Sequence, residues 1–234
     1  MTTIARILVP VDFSEHCLKM MPYARQFAEQ FGSEVILLHV FNPVYMIPET
    51  GISGLMEVPL PKQAFQDSAE RLESFAGSEL AGLPVRRLAY EGEPETQIAE
   101  TAETEDVQLL MMPTRGHGVF RTFLLGSITS KVLRDVARPI WTGVHASEHR
   151  ARAIATIACT AQTDDVLAWA SDLTSSFRAR LAQLEPGREP LDAHTICSFA
   201  QREGADLLVI GRGPGLKTDA NTVVRQSPCP VLSV

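Results

Sequence analysis

The sequence predicts an α/β protein: an open parallel five-stranded sheet with helices on both faces, repeated in tandem with a truncated second copy. Three observations carry this. Short apolar runs alternate with stretches of helical periodicity, the pattern of consecutive βαβ units. The run EVILLHVF at 34–41 is apolar almost without alternation, as in a strand covered on both faces. The order of these patterns then recurs, diverged, in the second half of the chain.

Residues 4–11 form the first apolar run and end at Asp12-Phe13-Ser14, where Asp12 or Ser14 can cap a helix. Met20, Met21, Ala24, Phe27, Ala28 and Phe31 follow at helical spacing, and Gly32 stops that helix. Residues 34–41 are the second strand. Residues 42–61 carry Pro43, Pro48, Pro59, Pro61, Gly51 and Gly54, so they read as a long irregular loop. Tyr45, Met46, Ile47, Leu55 and Met56 make it apolar for a loop. It reads equally as a lid or partner surface and as a loop folded over its own core. An amphipathic helix is expected over 62–80, a third strand over 84–90 and a short acidic helix over 94–104. A fourth strand follows at 107–112, a helix at about 127–136 and a fifth strand at 139–144.

The repeat is read by laying Arg6 on Arg152 and continuing without gaps. Val11 then falls on Ile157, Tyr23 on Trp169, Ala24 on Ala170, Phe31 on Phe177 and Leu38 on Leu184. Further on, 107–112 matches 205–210, and Pro139-Ile140 matches Pro230-Val231. The expected units are 1–145, complete, and 151–234, truncated. The second lacks counterparts of the long loop, the 62–80 helix and the 84–90 strand. Their polar join holds His145 and His149, which read as solvated linker rather than metal ligands.

Of 234 residues, 45% are hydrophobic and 21% charged, which is ordinary for a globular chain. A net charge of −7 argues against a broad nucleic-acid or anionic-membrane surface. No apolar run reaches the roughly 18 residues of a membrane span. Residues 1–14 lack a signal-peptide layout, so a cytoplasmic location is expected. Cys17, Cys159, Cys197 and Cys229 are scattered without a CxxC pair and read as small buried hydrophobes.

In an open parallel sheet, ligands bind at the carboxyl ends of the strands where the strand order reverses. Asp12 follows the first strand, Val40 closes the second, and the segment 113–127 follows the fourth. Gly116, Gly118 and Gly126 allow a ligand close to the backbone. Gly126-Ser127 opens a helix through Ile128 and Thr129 whose free N–H groups and dipole favour an anion. The Ser127 and Thr129 hydroxyls add donors, and phosphate is the best match. By itself this loop reads equally as a tight turn with an N-cap. It is neither a Walker loop nor a Rossmann dinucleotide fingerprint.

The combination is more specific. Pro10-Val11-Asp12-Phe13-Ser14, Leu38-His39-Val40, Tyr90-Glu91-Gly92-Glu93-Pro94 and Pro113-x2-Gly116-x9-Gly126-Ser127 together resemble the universal stress protein family of the adenine-nucleotide-binding type. The resemblance is strong over 6–144 and weak beyond. It implies ATP or AMP as ligand, with Mg²⁺ arriving alongside ATP. Asp12 would accept from ribose or adenine, and the Val40 backbone would meet the adenine edge. Gly116, Gly126, Ser127 and neighbouring N–H groups would hold phosphate, with Arg115 or His117 neutralising charge. The expected binding set is Pro10, Val11, Asp12, Val40, Met112, Arg115, Gly116, His117, Gly118, Gly126, Ser127, Ile128 and Thr129. No catalytic residue or protein metal ligand is expected, and at most weak ATP hydrolysis.

Two departures from the family pattern matter. Pro113 replaces the first glycine of the motif and removes an N–H. In the second copy Ala158 falls where Asp12 stands, and the chain is too short for the x9-Gly-Ser segment, so no second nucleotide site is expected. Family members without the glycine motif imply an alternative, an interaction module that binds no nucleotide and uses 42–61. The family's edge-to-edge pairing of fifth strands implies that the strands at Pro139 and Pro230 meet within one chain as a pseudo-dimer. A further homodimer stays open.

Overall fold

A computed structural model describes residues 2–42, 61–114, 125–143, 153–185, 191–212 and 220–234. The first half runs β1 (Arg6–Pro10), α1 (Glu15–Phe31), β2 (Glu34–Phe41), α2 (Pro61–Ser74), β3 (Val85–Glu91), α3 (Pro94–Thr104), β4 (Leu109–Pro113), α4 (Ser127–Asp135) and β5 (Ile140–Gly143). The second runs β6 (Thr156–Thr160), α5 (Asp164–Phe177), β7 (Arg180–Leu184), α6 (Ala193–Glu203), β8 (Leu207–Ile210), α7 (Ala220–Gln226) and β9 (Val231–Ser233).

Local chemistry sets the helix ends. Ser14, Thr163 and Asp192 precede α1, α5 and α6, and each side chain accepts a backbone N–H from the first turn. Gly32 ends α1 in the left-handed conformation at φ 68°, where a side chain would be strained.

The described strands form one nine-stranded sheet in the order β3-β2-β1-β4-β5-β9-β8-β6-β7. It is larger than the five strands of a single unit. Neighbours are parallel throughout except at the seam, where β5 and β9 run antiparallel with Trp141 opposite Leu232. The Thr142 hydroxyl donates to the Val231 carbonyl across this seam at 3.2 Å. Apolar cores lie on both faces of the sheet, and each is continuous across the two halves. Phe27 of α1 meets Phe177 of α5 edge-on, with ring centroids 5.2 Å apart. The Thr2 hydroxyl and backbone N–H donate to the Asp172 carboxylate of α5.

Two expectations change. The helix expected over 62–80 ends at Ser74. Beyond it Ala76 turns left-handed at φ 54°, and a series of turns carries Phe75, Ala76 and Leu80 into the core. The gapless repeat register also fails at the first strand. The Val11 N–H donates to the Leu38 carbonyl, and the Ala161 N–H donates to the Leu184 carbonyl. Gln108 accepts from the N–H groups of Ala5 and Arg6, as Asp206 does from those of Ala155 and Thr156. Ala161 is therefore the counterpart of Val11, and Gln162, not Ala158, stands in the place of Asp12. The physical reason is length: α1 has 17 residues and α5 has 14, and the turn before α5 is one residue shorter.

Candidate functional site

The strand order reverses at β1: β2 lies on one side of it and β4 on the other. The crevice between the carboxyl ends of β1 and β4 is the switch point of such a sheet. On the β1 side, the Asp12 Oδ1 accepts the Ser14 N–H at 2.9 Å, a local turn that fixes the carboxylate. His39 Nδ1 lies 2.8 Å from the Val11 carbonyl, so in the neutral ring the proton sits on Nδ1. Burial pushes the His39 pKa below its ordinary value. The Val11 bond and the Asp12 charge oppose that shift, and Arg71 adds to it.

Phe13, between Asp12 and Ser14, holds φ 60°, a left-handed conformation costly for a bulky side chain. It is clamped there. Its ring lies 4.4 Å from His39 and 5.4 Å from Phe75, and the Arg71 guanidinium sits 4.5 Å above it. The sequence reading missed this clamp. Arg71 lies on the polar side of its own helix, and no local signal ties it to Phe13.

On the β4 side, the chain leaves at Thr114 and is returned at Gly126, whose N–H donates to the Thr114 carbonyl at 3.0 Å. The Thr114 hydroxyl donates to the Gly143 carbonyl at 2.7 Å. The Thr129 hydroxyl, 5% exposed, donates to the Pro113 carbonyl at 3.2 Å. Thr129 thus ties the first turn of α4 to the end of β4. Ser127 is exposed at the start of α4, Ile128 is half-buried, and Gly126 places no side chain over the first free N–H groups. Gly126 has an ordinary φ of −57°, and a Cβ there would meet its nearest described atoms only at 3.6 and 3.8 Å. Nothing among the described residues requires a glycine at this point.

Pro113 bears directly on the crevice. The N–H groups of Leu110 and Thr114 both donate toward β5. By strand alternation the nitrogen of position 113 faces the β1 side, where a donor would point into the crevice. Proline removes it.

Pro10, Asp12 and Val40 are half-buried at the same edge, and Val11 and Met112 are buried beneath it. Arg115, Gly116, His117 and Gly118 lie outside the described residues. So do 43–60 of the loop, His145 and His149. In the second half Gln162 stands for Asp12, Gly211 for Pro113 and Arg212 for Thr114, whose N–H groups bond Val234 and Gly143 respectively. Among the described residues no group of three or more His, Cys, Asp or Glu could hold a metal ion, and no helix is long and apolar enough to cross a membrane.

The profile of the universal stress protein family matches residues 3–142. The chain belongs to the universal stress protein family. Two relatives come from Methanocaldococcus jannaschii. Universal stress protein MJ0531 is 28% identical over 137 residues, 58% of this chain and 79% of that one. Universal stress protein MJ0577 is 27% identical over 148 residues, 58% of this chain and 91% of its own length. The solved structure of MJ0577 aligns with 60% of this universal stress protein at a TM-score of 0.50 and covers 96% of that chain. A universal stress protein of Archaeoglobus fulgidus aligns over 97% of both chains with a TM-score of 0.72. At 18% identity that likeness concerns the fold, and it includes the second half.

Proposed function

We propose that this universal stress protein binds one adenine nucleotide, ATP or AMP, at the carboxyl ends of β1, β2 and β4, and works as a sensing or regulatory module. The observation that carries the reading is the start of α4. Among the described residues nothing crowds a side chain at Gly126, the glycine places none over the first N–H groups of the helix, and it stands across the switch-point crevice from the pinned Asp12 carboxylate.

In this reading the base and ribose lie between Asp12 and the backbone of Val40. The phosphates meet the N–H groups and hydroxyl of Ser127 and the N–H groups of Ile128 and Thr129, with Gly116, Gly118, Arg115 and His117 assigned to the same end. Mg²⁺ would enter with ATP. Residues 1–145 form the nucleotide-bearing unit and 151–234 the smaller unit, which carries no site because Gln162 has replaced the carboxylate. A cytoplasmic location fits such a ligand. Hydrolysis, if present, is weak.

The test is mass spectrometry of ligand released by denaturing freshly purified protein, followed by calorimetric titration with AMP and ATP. Ser127→Glu serves as control, because it sets a carboxylate where phosphate would sit. Adenine nucleotide bound to the wild type and lost in the variant supports the reading. Neither carried nor added nucleotide bound to the wild type overturns it.

Pro113 favours a second reading, in which the protein is an interaction module without nucleotide and 42–61 is its partner surface. Deleting 43–60 would then abolish partner capture.

A further inference from the structure

The two halves do not meet symmetrically at the seam. After β4 the chain places Thr114, which bonds Gly143 within its own half. At the corresponding place after β8 stands Arg212, and its side chain crosses to the other half. Nη1 donates to the carbonyls of Val136 at 2.5 Å and Leu133 at 3.3 Å, and Nη2 to that of Arg138 at 2.6 Å. Leu133 lies in the last turn of α4 and Val136 is its C-cap.

The Leu133 and Val136 carbonyls are among those a helix leaves unsatisfied at its end, and a cation there also complements the helix dipole. The Arg212 backbone is itself tied to the sheet, its N–H donating to the Val234 carbonyl at 2.9 Å. Burial pushes the guanidinium pKa down, yet an arginine stays charged, so a half-buried cation is committed to this contact.

α4 has nine residues, about 13 Å of helix. A helix that short is not stable alone and takes its position from what holds its ends. Its far end is Ser127–Thr129. We infer that Arg212 is a positioning residue for the phosphate end of the nucleotide site: by gripping the C-terminus of α4, the second half sets where the N–H groups at its N-terminus stand. This rests on the nucleotide reading above. It gives the half that lacks a site a share in the site of the other.

The experiment compares wild type, Arg212→Met, which keeps the length and removes the donors, and Arg212→Lys, which keeps the charge but lacks the planar fork. Affinity is measured for AMP and for adenosine, with hydrogen exchange followed at the amides of Ser130 and Lys131. Arg212→Met is expected to bind AMP about tenfold more weakly while adenosine affinity is unchanged, since adenosine engages only the Asp12 and Val40 end. Exchange at the start of α4 is expected to quicken, with Arg212→Lys intermediate on both measures. AMP and adenosine affinities falling together would mean general damage and overturn the inference, as would AMP affinity and exchange both unchanged. If the wild type binds neither ligand, the nucleotide reading falls. The exchange rates then decide the coupling alone, and unchanged rates overturn it.

Discussion

The ring of Phe13 lies 4.4 Å from that of His39, tilted by 38°, while the Phe13 backbone holds a φ of 60° that phenylalanine rarely adopts. The contact and the strain are linked: ring contacts with His39, Phe75 and Arg71 offset a backbone cost of about 1–2 kcal/mol. Phe13→Ala removes the contacts and keeps the strain. It is expected to destabilise by about 3 kcal/mol. Phe13→Gly removes both, so it is expected to be about 1 kcal/mol more stable than the alanine variant despite being smaller. Urea unfolding of the two variants checks the order. Alanine more stable than glycine would disprove the strain.

His39 gives a pH dependence with a definite sign. Its folded pKa is depressed, mainly by burial, so the folded ring binds a proton less readily than the unfolded one. Its contribution to stability is whole above the unfolded value of about 6.5 and is lost as pH falls through the folded value. His39→Asn, which can still donate to Val11, is expected to flatten the fall in unfolding free energy between about pH 7 and pH 5. An unaltered slope in denaturant titrations would assign the effect elsewhere.

All four cysteines are buried thiols. Burial pushes Cys159 and Cys197 up to about 11 and Cys229 up to about 12, and it raises Cys17 as well, helped by the Asp12 charge. A thiol reagent at neutral pH is therefore expected to label the native protein only as fast as it opens, and all four sites on unfolding. Rapid native labelling of any of them would contradict this.

Pro113→Gly restores an N–H on the crevice side of β4. If phosphate lies there, the added donor to a charged group is expected to tighten nucleotide binding about tenfold. Calorimetry with AMP reads it, and an unchanged affinity would place the phosphate away from position 113.

Gly143→Ala tests the seam. A Cβ at Gly143 would stand 2.7 Å from the ring of Trp141, which is fully buried. Such overpacking costs typically about 1–3 kcal/mol, and thermal unfolding should show it. Wild-type stability in this variant would mean that Trp141 has room to move.

Most strands and helices were legible because their signals are local. The apolar run at 34–41 coincides with β2 and the Pro-led acidic stretch at 94–104 with α3. The repeat register misled for a reason that periodicity itself supplies. Against the fold, the gapless overlay is displaced by four residues in β6 and by three at the start of α5, the differences between Ala161 and Ile157 opposite Val11 and between Thr163 and Thr160 opposite Ser14, and it is exact at the end of α5, where Arg178 caps the helix as Gly32 does. Four residues along a strand and three along a helix return to the same face. Apolar residues therefore still fell on apolar ones, and only hydrogen bonds across the sheet reveal the offset. Around the candidate site, the turn at Asp12 and the helix start at Gly126-Ser127 were legible, because their chemistry is local. Arg71 over Phe13 and Arg212 under α4 were not, because each acts on a residue far away in sequence.

The antiparallel β5–β9 pair lies where the axis of a symmetric dimer would run, and such a dimer shows every substitution on both sides of its axis. Here the two sides belong to one polypeptide and are free to differ. Arg212 has no twin at Thr114, and Asp12 has none at Gln162. A change that suits one side is not forced on the other. Covalent fusion thus permits a division of labour that identical subunits cannot reach: Thr114 bonds within its own half, while Arg212 at the corresponding place reaches across to the other.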